Sequence, residues 1–436
     1  MSFYNLLNNL LSLFEILFIL GYEYIWYKIN GNYSETIESL TNKLALKNVL
    51  YVKMFQAFAL DNKMIDDEIN NKLIKYTDQV PWKYSDINYT DLIKVSGKYK
   101  LNLNSKNNKP INAGMISLVF KIERVGSEES VIIKMKRKNI ENKLKVSIDQ
   151  VLFIVYVLSY IPSLNKLQIY ELIEKNIKYI REQTDFLREI ENMELMSKNS
   201  KRLKYVVIPK VYKEVTEEIP NVIMMEYIKG KKVTELEEEE RREYSKLIIK
   251  YVLVSYIMHG CTHGDLHSGN ILFINDEKCK KKLGLLDFGI IYNYEDKFKN
   301  EICKLAMNFK NMYIKDVSNK ILEIILEPEG IMKKLPEKDY NELLEISVET
   351  LNNSIIKNNP DQYELFNFLS KMKELFLKND LVKKIGVKIK DDFVKSQMCL
   401  MMFHGVLIKL IGENKLYELI DECLDEIFNR KLLKDD

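Results

Sequence analysis

The residues best suited to chemistry lie between His263 and Gly289. The segment HGDLHSGN places Asp265 five positions before Asn270, and the later segment LLDFG contains Asp287. In phosphoryl-transfer sites of the kinase type, one aspartate orients or deprotonates the attacking hydroxyl. An asparagine and a second aspartate hold Mg²⁺ against the nucleotide phosphates. The spacing therefore predicts a kinase-type site, with Asp265 as the catalytic group and Asn270 and Asp287 as metal ligands.

Two short apolar segments, Ile271–Ile274 and Leu283–Leu286, predict strands on either side of a polar hairpin. Strands in this arrangement would bring both carboxylates out at strand ends. His263 and His267 lie beside Asp265, but no other residues with metal-ligand spacing accompany them. We expect these histidines to be structural members of the loop and expect no zinc site.

A lysine upstream has the right setting to bind phosphate. Lys134 lies late in the apolar segment VIIKMK, and the segments Met115–Arg124 and Val131–Lys136 predict an antiparallel hairpin. In a kinase, a lysine at this place bridges the α- and β-phosphates and is fixed by a glutamate of the next helix. The residues alone leave four partners open, which are Glu182, Glu189, Glu191 and Glu194.

Two further segments are expected to bind the nucleotide. PINAGMISLVF precedes a predicted strand, where its backbone would cover the phosphates, although the GxGxxG sequence of protein kinases is absent. MEYI ends a predicted strand and indicates an interlobe hinge, whose backbone would hydrogen-bond adenine while its methionine lines the pocket. The candidate nucleotide-binding residues in these segments are Ala113, Gly114, Met115, Met225, Glu226 and Ile228.

The composition is that of a globular protein. Of the 436 residues, 46% are hydrophobic and 30% are charged, and the net charge is +3. This interspersed balance gives no electrostatic case for nucleic-acid binding. The five cysteines form no CxxC pair and are odd in number, so we expect reduced thiols and an intracellular location.

The N-terminal segment is apolar from Leu10 to Gly21, apart from Glu15, and an aromatic stretch follows it. No lysine or arginine precedes it, so the basic region of a signal peptide is missing. Three interpretations stay open: a helix packed on the protein, a helix at a membrane surface, and a membrane span. The acidic residues Glu15 and Glu23 would be costly in a span.

The order of predicted elements indicates the fold. Helical periodicity extends from Ser39 to about Asp78, strand-like segments follow, among them Val206–Val211 and Val222–Tyr227, and most of the chain beyond Glu235 is helical. This order predicts an α+β fold of the bilobal protein-kinase-like type, with an N-terminal helical extension and a helical insert in the N-lobe. The predicted parts are an apolar helical segment at 1–47, a helical extension at 48–109, the N-lobe at 110–228 and the helical C-lobe at 229–436.

Together these segments resemble the ABC1/ADCK/UbiB family of atypical kinases, which is associated with ubiquinone biosynthesis. That family has an alanine-rich loop, PLASASIAQVH, and PINAGMISLVF is similar to it in position and length, with Asn112 and Gly114 where alanines are expected. The family also carries a KxGQ motif that folds over the active site and blocks large peptide substrates. KMFQ resembles it, retaining Lys53 and Gln56 and placing Phe55 where the family has glycine.

A third family element is an ExD…E motif, which QTDFLREIEN resembles. The resemblance retains Asp185 and Glu189, places Gln183 at the first glutamate, and implies that Glu189 is the partner of Lys134. The helical insert at Asn142–Lys178 is likewise a family feature. The residues that the resemblance implies for a regulatory lid are Lys53, Gln56 and Asp185.

Three functions stay open. The resemblance implies an enzyme that binds ATP (or ADP) with Mg²⁺, a kinase or ATPase acting on a small or lipid-like substrate, in contact with a membrane surface. The second is a phosphotransferase of the aminoglycoside or choline kinase kind, whose catalytic loop also reads HGDLHxGN. The third is a nucleotide-binding pseudokinase that serves as a scaffold or lipid chaperone, which the changes at Phe55, Gln183 and Gly114 favour.

Overall fold

The structure is a computed structural model that describes residues 3–60, 72–73, 80–103, 109–158, 160, 177, 180–276, 280–353, 362–412 and 416–429. The chain divides into two compact units. The first unit comprises Met1–Met193 and Pro209–Tyr227, and the second comprises Glu194–Ile208 and Ile228–Asp436. The content of helices and strands confirms the predicted α+β class.

The helices include α1 (Phe3–Asn30), α2 (Tyr33–Lys47), α3 (Val49–Leu60), α4 (Tyr89–Lys98), α5 (Ile140–Leu158), α6 (Phe186–Asn199), α7 (Lys213–Glu218), α8 (Glu238–Val254), α9 (Asp296–Asn308), α10 (Ile314–Ile325), α11 (Glu337–Leu351), α12 (Gln362–Lys378), α13 (Leu381–Ile385), α14 (Asp391–Ile411) and α15 (Leu416–Asn429). The strands include β1 (Asn112–Ala113), β2 (Ser117–Glu123), β3 (Ser130–Lys136), β4 (Val206–Val207), β5 (Val222–Glu226), β6 (Cys261–His263), β7 (Ile271–Asn275), β8 (Lys281–Leu285), β9 (Ile291–Asn293), β10 (Leu326–Glu327) and β11 (Lys388–Ile389).

The first unit contains an antiparallel sheet in the order β1-β2-β3-β5. Val131, Ile133 and Met135 of β3 are buried in the main apolar core of this unit. Side chains alternate between the two faces of a strand, so Lys134 projects from the face opposite that core. Strand β3 thus presents Lys134 on one face, while its apolar neighbours on the other face pack into the core.

The N-terminal helices differ from the sequence prediction at one point. Periodicity predicted continuous helix through Asn48, but α2 ends before this residue and α3 begins after it. The Asn48 side chain accepts the Leu50 N–H at 2.9 Å and donates to the Ser147 carbonyl at 3.1 Å. An asparagine that bonds the backbone in this way competes with helical hydrogen bonds, which explains the break. The helical prediction from 61 to 71 and from 74 to 79 lies outside the described residues.

The second unit holds two small sheets that frame the acidic motif. β6 pairs with β9 and β7 pairs with β8, both antiparallel. The pairs His263↔Ile291 and Ile271↔Leu285 lie at the ends of these strands. The connection from β6 to β7 and the connection from β8 to β9 therefore leave and enter at the same paired ends. This topology brings the HGDLHSGN and DFG segments together.

One strand prediction and one helix prediction were wrong in extent. The predicted strand Val206–Val211 is strand only at Val206–Val207, where it pairs in parallel with β8 of the second unit. Val211 makes an isolated bridge to Met225 in the first unit. Pro209 lacks the N–H that a continuing ladder would need, which explains the interruption. Beyond Glu235 the short pair β10–β11 also interrupts the predicted helix.

Candidate active site

Lys134 and Glu189 form a buried ion pair in the first unit. Nζ of Lys134 lies 2.6 Å from Oε1 of Glu189, and the two side chains are 8% and 2% exposed. The sequence left four glutamates open as the partner of Lys134, and the structure pairs Lys134 with Glu189. Glu182 instead pairs with Arg188 at 3.1 Å, and Glu191 and Glu194 are exposed.

Helix α6 sets the position of Glu189 through its N-terminus. Asp185 Oδ1 accepts the N–H groups of Leu187 and Arg188 at 3.1 and 3.2 Å. This is the geometry of an N-cap carboxylate, which binds otherwise unpaired N–H groups of the first turn. Glu189 then lies one turn into the helix and on its buried side. Asp185 therefore stabilises the N-terminus of α6. Its role in the lid that the resemblance implies stays a prediction.

The predicted phosphate loop is fixed by backbone hydrogen bonds. Ala113 accepts the Val80 N–H at 2.8 Å, and the Gly114 N–H donates to the Ser117 carbonyl at 2.9 Å. The Met115 side chain is buried, in one apolar cluster with Phe55. The loop is therefore packed against α3 and hydrogen-bonded to Val80, which lies in the helical extension between α3 and α4.

The KMFQ segment lies on α3, where Phe55 is buried and Lys53 is half-buried. Phe55 shares its apolar cluster with Met115 and Ile116 of the loop. The side chain of Gln56 lies outside the described residues. A phenylalanine at the family's glycine position therefore fills a cluster that includes the phosphate loop.

The predicted hinge residues fall in both units. Met225 of β5 is buried and pairs with Ile132 of β3. Glu226 donates its N–H to the Lys210 carbonyl at 2.9 Å, so this N–H is already engaged within the first unit. Ile228 belongs to the second unit, where Gly284 packs so closely that a Cβ on it would lie 3.2 Å from Ile228.

In the second unit, His263 joins the two acidic segments. Its Nδ1 accepts the N–H of Asp265 at 3.1 Å, and Nε2 lies 3.0 Å from the Leu286 carbonyl, to which it must donate. These partners assign the neutral Nε2–H tautomer. Burial lowers the pKa of His263, although the Leu286 carbonyl and the charges of Asp265 and Asp287 favour protonation. His263 is therefore a neutral bridge between the catalytic loop and the DFG segment.

Asn270 is oriented by the loop that contains Asp265. Its Nδ2 donates to the Asp265 carbonyl at 2.8 Å, and its backbone carbonyl accepts the Leu286 N–H at 2.9 Å. Because Nδ2 of Asn270 binds the Asp265 carbonyl, Oδ1 of Asn270 faces away from that carbonyl. His267 Nε2 lies 3.9 Å from Oδ2 of Asp265, and His267 Nδ1 accepts the Gly269 N–H at 3.0 Å. Both histidines contact the loop, as a structural role requires.

Asp287 has a left-handed backbone, with φ of 59°. Aspartate and asparagine tolerate this region better than other L-residues, because their short side chains can bond the local backbone. Here Oδ1 of Asp287 accepts the Gly289 N–H at 3.2 Å. Phe288 is fully buried with its ring 4.9 Å from that of His263. Strained backbone held by such packing is a feature of functional sites.

The donor set at Asp287 and Asn270 fits Mg²⁺. It supplies one carboxylate and one amide oxygen, and Mg²⁺ is usually bound by one or two carboxylates together with phosphate oxygens and waters. Among the residues that the structure describes, no three His, Cys, Asp or Glu side chains group as a metal site. The described donors thus suit a metal held jointly with a nucleotide.

Two contributors to this site were not predicted from the sequence. Gly264 lies so close to β9 that a Cβ there would be 2.5 Å from Ile290 Cγ2, so the loop needs glycine. Lys409 of α14 reaches the loop, with Nζ 3.4 Å from Ser268 Oγ. Gly264 stands next to the catalytic aspartate in the motif, which could have drawn attention to it. Lys409 has no such signal, because it lies 141 residues from its partner.

The ABC1 atypical kinase-like domain model matches residues 78–325, which is more than half of the chain. The chain therefore belongs to this atypical kinase family, and its fold is protein-kinase-like. The resemblance seen in the sequence is confirmed by this match.

Named relatives agree with the family. The chain is 22% identical over 320 residues to the chloroplastic protein ACTIVITY OF BC1 COMPLEX KINASE 8 of Arabidopsis thaliana, covering 69% of this chain and 41% of the relative. It is 30% identical to AarF domain-containing protein kinase 1 of Xenopus laevis, over 31% of this chain and 26% of the relative. It is 23% identical to the probable protein kinase UbiB of Blochmanniella pennsylvanica, over 72% of this chain and 56% of the relative.

The chain therefore matches between about a quarter and just over half of the length of these relatives. A solved Rio2 kinase–ADP/Mg²⁺-phosphoaspartate complex from Chaetomium thermophilum aligns over 76% of this chain and 85% of its own, with 11% identity and a TM-score of 0.29.

Proposed function

We propose that the protein is an ATP-binding atypical kinase or ATPase of the UbiB type, whose substrate is small or lipid-like. The observation that carries the proposal is the buried Lys134–Glu189 pair, together with an intact set of Asp265, Asn270 and Asp287. Lys134, fixed by Glu189, binds the nucleotide phosphates. Asn270 and Asp287 hold Mg²⁺, which neutralises charge on the phosphates.

In this proposal, Asp265 accepts the proton of the attacking hydroxyl or orients an attacking water. Its loop is held from both sides, by His263 through the backbone and by Asn270 through the carbonyl. Catalysis of phosphoryl transfer depends mainly on positioning and on charge stabilisation. The network supplies positioning at the aspartate itself, which favours an active enzyme over a pseudokinase.

The helical extension supports a small acceptor. Phe55 of the KMFQ segment is buried in the cluster that contains Met115 and Ile116 of the phosphate loop. This packing supports the proposal that the extension restrains the loop and limits access for large acceptors. A soluble phosphotransferase of the aminoglycoside or choline kinase kind is not expected to carry this extension. The family match also disfavours that class of enzyme.

A second element of the proposal concerns α1, whose apolar residues face outward. Large apolar side chains along it are exposed, among them Phe14, Phe18, Ile25 and Ile29 at 66%, 75%, 62% and 71%. Its buried positions include the polar residues Asn9 and Glu23. This is the reverse of a helix on a soluble protein, which buries its apolar stripe.

The acidic residues of α1 are bound by α2. Glu23 Oε1 accepts hydrogen bonds from Lys43 at 2.5 Å and Ser39 at 2.8 Å, and Glu15 pairs with Lys47 at 2.9 Å. These contacts hold α2 alongside α1. A helix with the polar sequence of α2 would be costly in hydrocarbon, so a span by α1 is disfavoured.

We therefore place α1 flat on a lipid surface, with its aromatic side chains at the headgroup level. In the part of the chain that the structure describes, two helices, Asn5–Asn30 and Asp391–Ile411, are long and apolar enough to span a membrane. Only 6% of the most apolar 18-residue stretch of the first is buried, against 39% for the second, which supports α1 as the lipid-facing helix. The surface concentrates a lipid-like substrate near the enzyme.

The function is tested by ATP turnover with and without anionic lipid vesicles. Lys134→Ala and Asp265→Asn should abolish turnover. Lys136→Ala should retain it, because Lys136 lies on the same strand face but pairs with the exposed Glu141. Equal turnover in wild type and Asp265→Asn would disprove the catalytic assignment. ATP binding without turnover, in any lipid, would favour the pseudokinase.

The lipid surface has its own test, which is co-sedimentation with vesicles. Phe14→Ser combined with Phe18→Ser should release the protein from vesicles. Tyr313→Ser is the matched control, because Tyr313 is the more exposed side chain at 84% but lies in the second unit. Equal sedimentation of both variants would disprove the assignment of α1.

A further inference from the structure

Arg137 follows β3 directly and is buried at 7% exposure. Its Nε and Nη2 both donate to the Gly114 carbonyl, at 3.0 and 2.8 Å. Nη1 donates to the Pro81 carbonyl and to Asp86 Oδ2, each at 3.0 Å. One guanidinium therefore joins three segments of the first unit: the end of the lysine strand, the predicted phosphate loop and a segment of the helical extension between α3 and α4. We call this segment, residues 80–86, the strap.

The backbone around Arg137 reinforces these bonds. Its own N–H donates to the Ile116 carbonyl at 2.8 Å, and Val80 of the strap donates its N–H to the Ala113 carbonyl at 2.8 Å. Arg137 thus binds the carbonyls of Gly114 and Ile116, on either side of Met115, and the strap binds the carbonyl of Ala113. These three loop carbonyls are directed into the protein.

This arrangement sets the direction of the peptide between Gly114 and Met115. In a trans peptide the C=O and the N–H point in opposite directions. Because the Gly114 carbonyl points at the Arg137 fork, the Met115 N–H points away from the guanidinium. Backbone N–H groups presented by a loop in this way bind phosphate oxygens.

Asp86 provides the counter-charge. Its Oδ1 accepts from Lys143 Nζ at 2.9 Å, and its Oδ2 also accepts the Lys83 N–H at 3.0 Å. Burial would raise the pKa of Asp86, but these hydrogen bonds and the charges of Arg137 and Lys143 outweigh it and hold the pKa below its ordinary value. A buried guanidinium is stable only with such partners.

We propose that Arg137 is a positioning residue for phosphate binding: it holds the Gly114–Met115 peptide so that the Met115 N–H can meet a nucleotide phosphate, and it couples the strap to the loop. The proposal rests on the proposed function, because it assumes that the loop binds nucleotide. A planar fork with two donors on one carbonyl is a task that lysine cannot perform.

The test compares Arg137→Lys, Arg137→Met and the control Arg124→Met. Arg124 is an arginine of the same unit whose Nε is paired with Glu129 at 3.3 Å. We expect both Arg137 variants to bind Mg²⁺-ATP about tenfold or more weakly, with adenosine affinity unchanged, and Arg124→Met to match wild type. Unchanged ATP affinity in Arg137→Lys, or an equal loss for adenosine, would overturn the proposal.

A second readout needs no nucleotide. Amide hydrogen exchange of the apo protein should be faster in Arg137→Lys than in wild type, both in the loop at 113–117 and in the strap at 80–86. Exchange that changes in neither segment would overturn the coupling. If wild type itself binds no Mg²⁺-ATP, the proposed function fails while the exchange result still decides on the coupling. If Arg137→Met does not fold, Arg137→Lys carries both readouts.

Discussion

The ammonium of Lys134 and the carboxylate of Glu189 meet at 2.6 Å inside the first unit, 55 residues apart in sequence. Neither side chain exceeds 8% exposure, so the two charges compensate each other in a buried setting. In kinases, a strand lysine held by a helix glutamate in this way binds the nucleotide phosphates, and this is the role proposed for Lys134.

Glu189→Gln should destabilise the fold by about 3–5 kcal/mol, because it leaves the Lys134 charge buried without its partner. The double variant Lys134→Met with Glu189→Leu should be less destabilised than the sum of the two single variants, because both charges are removed. Urea unfolding of wild type, Lys134→Met, Glu189→Leu and the double variant measures this coupling. Additive losses would mean that the pair has no energetic link.

The neutral state of His263 predicts a pH dependence of stability. Its pKa is lowered by burial in the folded protein, so the unfolded chain binds more protons between the folded pKa and the ordinary pKa near 6.5. The contribution of the neutral histidine to the free energy of unfolding should therefore be at its maximum above about pH 7 and should decrease as the pH drops through about 6.5. Burial also lowers the pKa of His259, which adds to the same slope.

His263→Gln should reduce this slope, while His259→Gln should remove a separate part of it. Urea unfolding at a series of pH values between about 5 and 8 measures both. A His263→Gln variant with the slope of wild type would show that this histidine is not held neutral.

Two glycines should respond oppositely to alanine. In Gly264→Ala the new Cβ would meet Ile290 Cγ2 at 2.5 Å, so we expect a loss of about 1–3 kcal/mol and a disturbed catalytic loop. In Gly114→Ala the nearest atom is the Ser117 carbonyl oxygen at 3.7 Å, and a gain of about 0.4–1 kcal/mol is expected. Thermal unfolding distinguishes them, and a shift of the same sign in both would contradict the geometry.

Phe55→Ala should lower the free energy of unfolding by about 3–5 kcal/mol, because it empties a buried aromatic position beside Met115 and Ile116. Phe55→Leu should cost much less. If the extension restrains the loop, Phe55→Ala should also speed amide exchange at 113–117. Denaturant unfolding and exchange together check this, with Tyr313→Ala as an exposed control.

The sequence was sufficient to predict that the HGDLHSGN and DFG segments lie at strand ends, because they are close in the chain and their spacing reflects the strand–loop–strand topology. Lys134 was predictable for a similar reason, as a lysine in an apolar strand. The partner of Lys134 was open on periodicity alone, since several glutamates share the helix. Only the resemblance selected Glu189, and the tertiary packing then placed it.

Arg137 and the strap were not predicted. The groups that meet there come from residues 80, 81, 86, 114 and 137, and no local periodicity links them. The helix break at Asn48 was missed for a related reason, because an asparagine in a helical pattern signals a stop only when its side chain finds backbone partners. The apolar character of α1 could be predicted from its composition, but that its apolar residues face outward followed only from its contacts with α2.

The central claim is that Asp287 holds Mg²⁺ for a bound nucleotide. Asp287→Asn removes the charge while keeping a residue that tolerates φ of 59°. Titration calorimetry of ATP with and without Mg²⁺ tests it, with the exposed Asp296→Asn as control. We expect Mg²⁺ to strengthen ATP binding about tenfold or more in wild type and Asp296→Asn but not in Asp287→Asn. Equal Mg²⁺ dependence in all three proteins would contradict it.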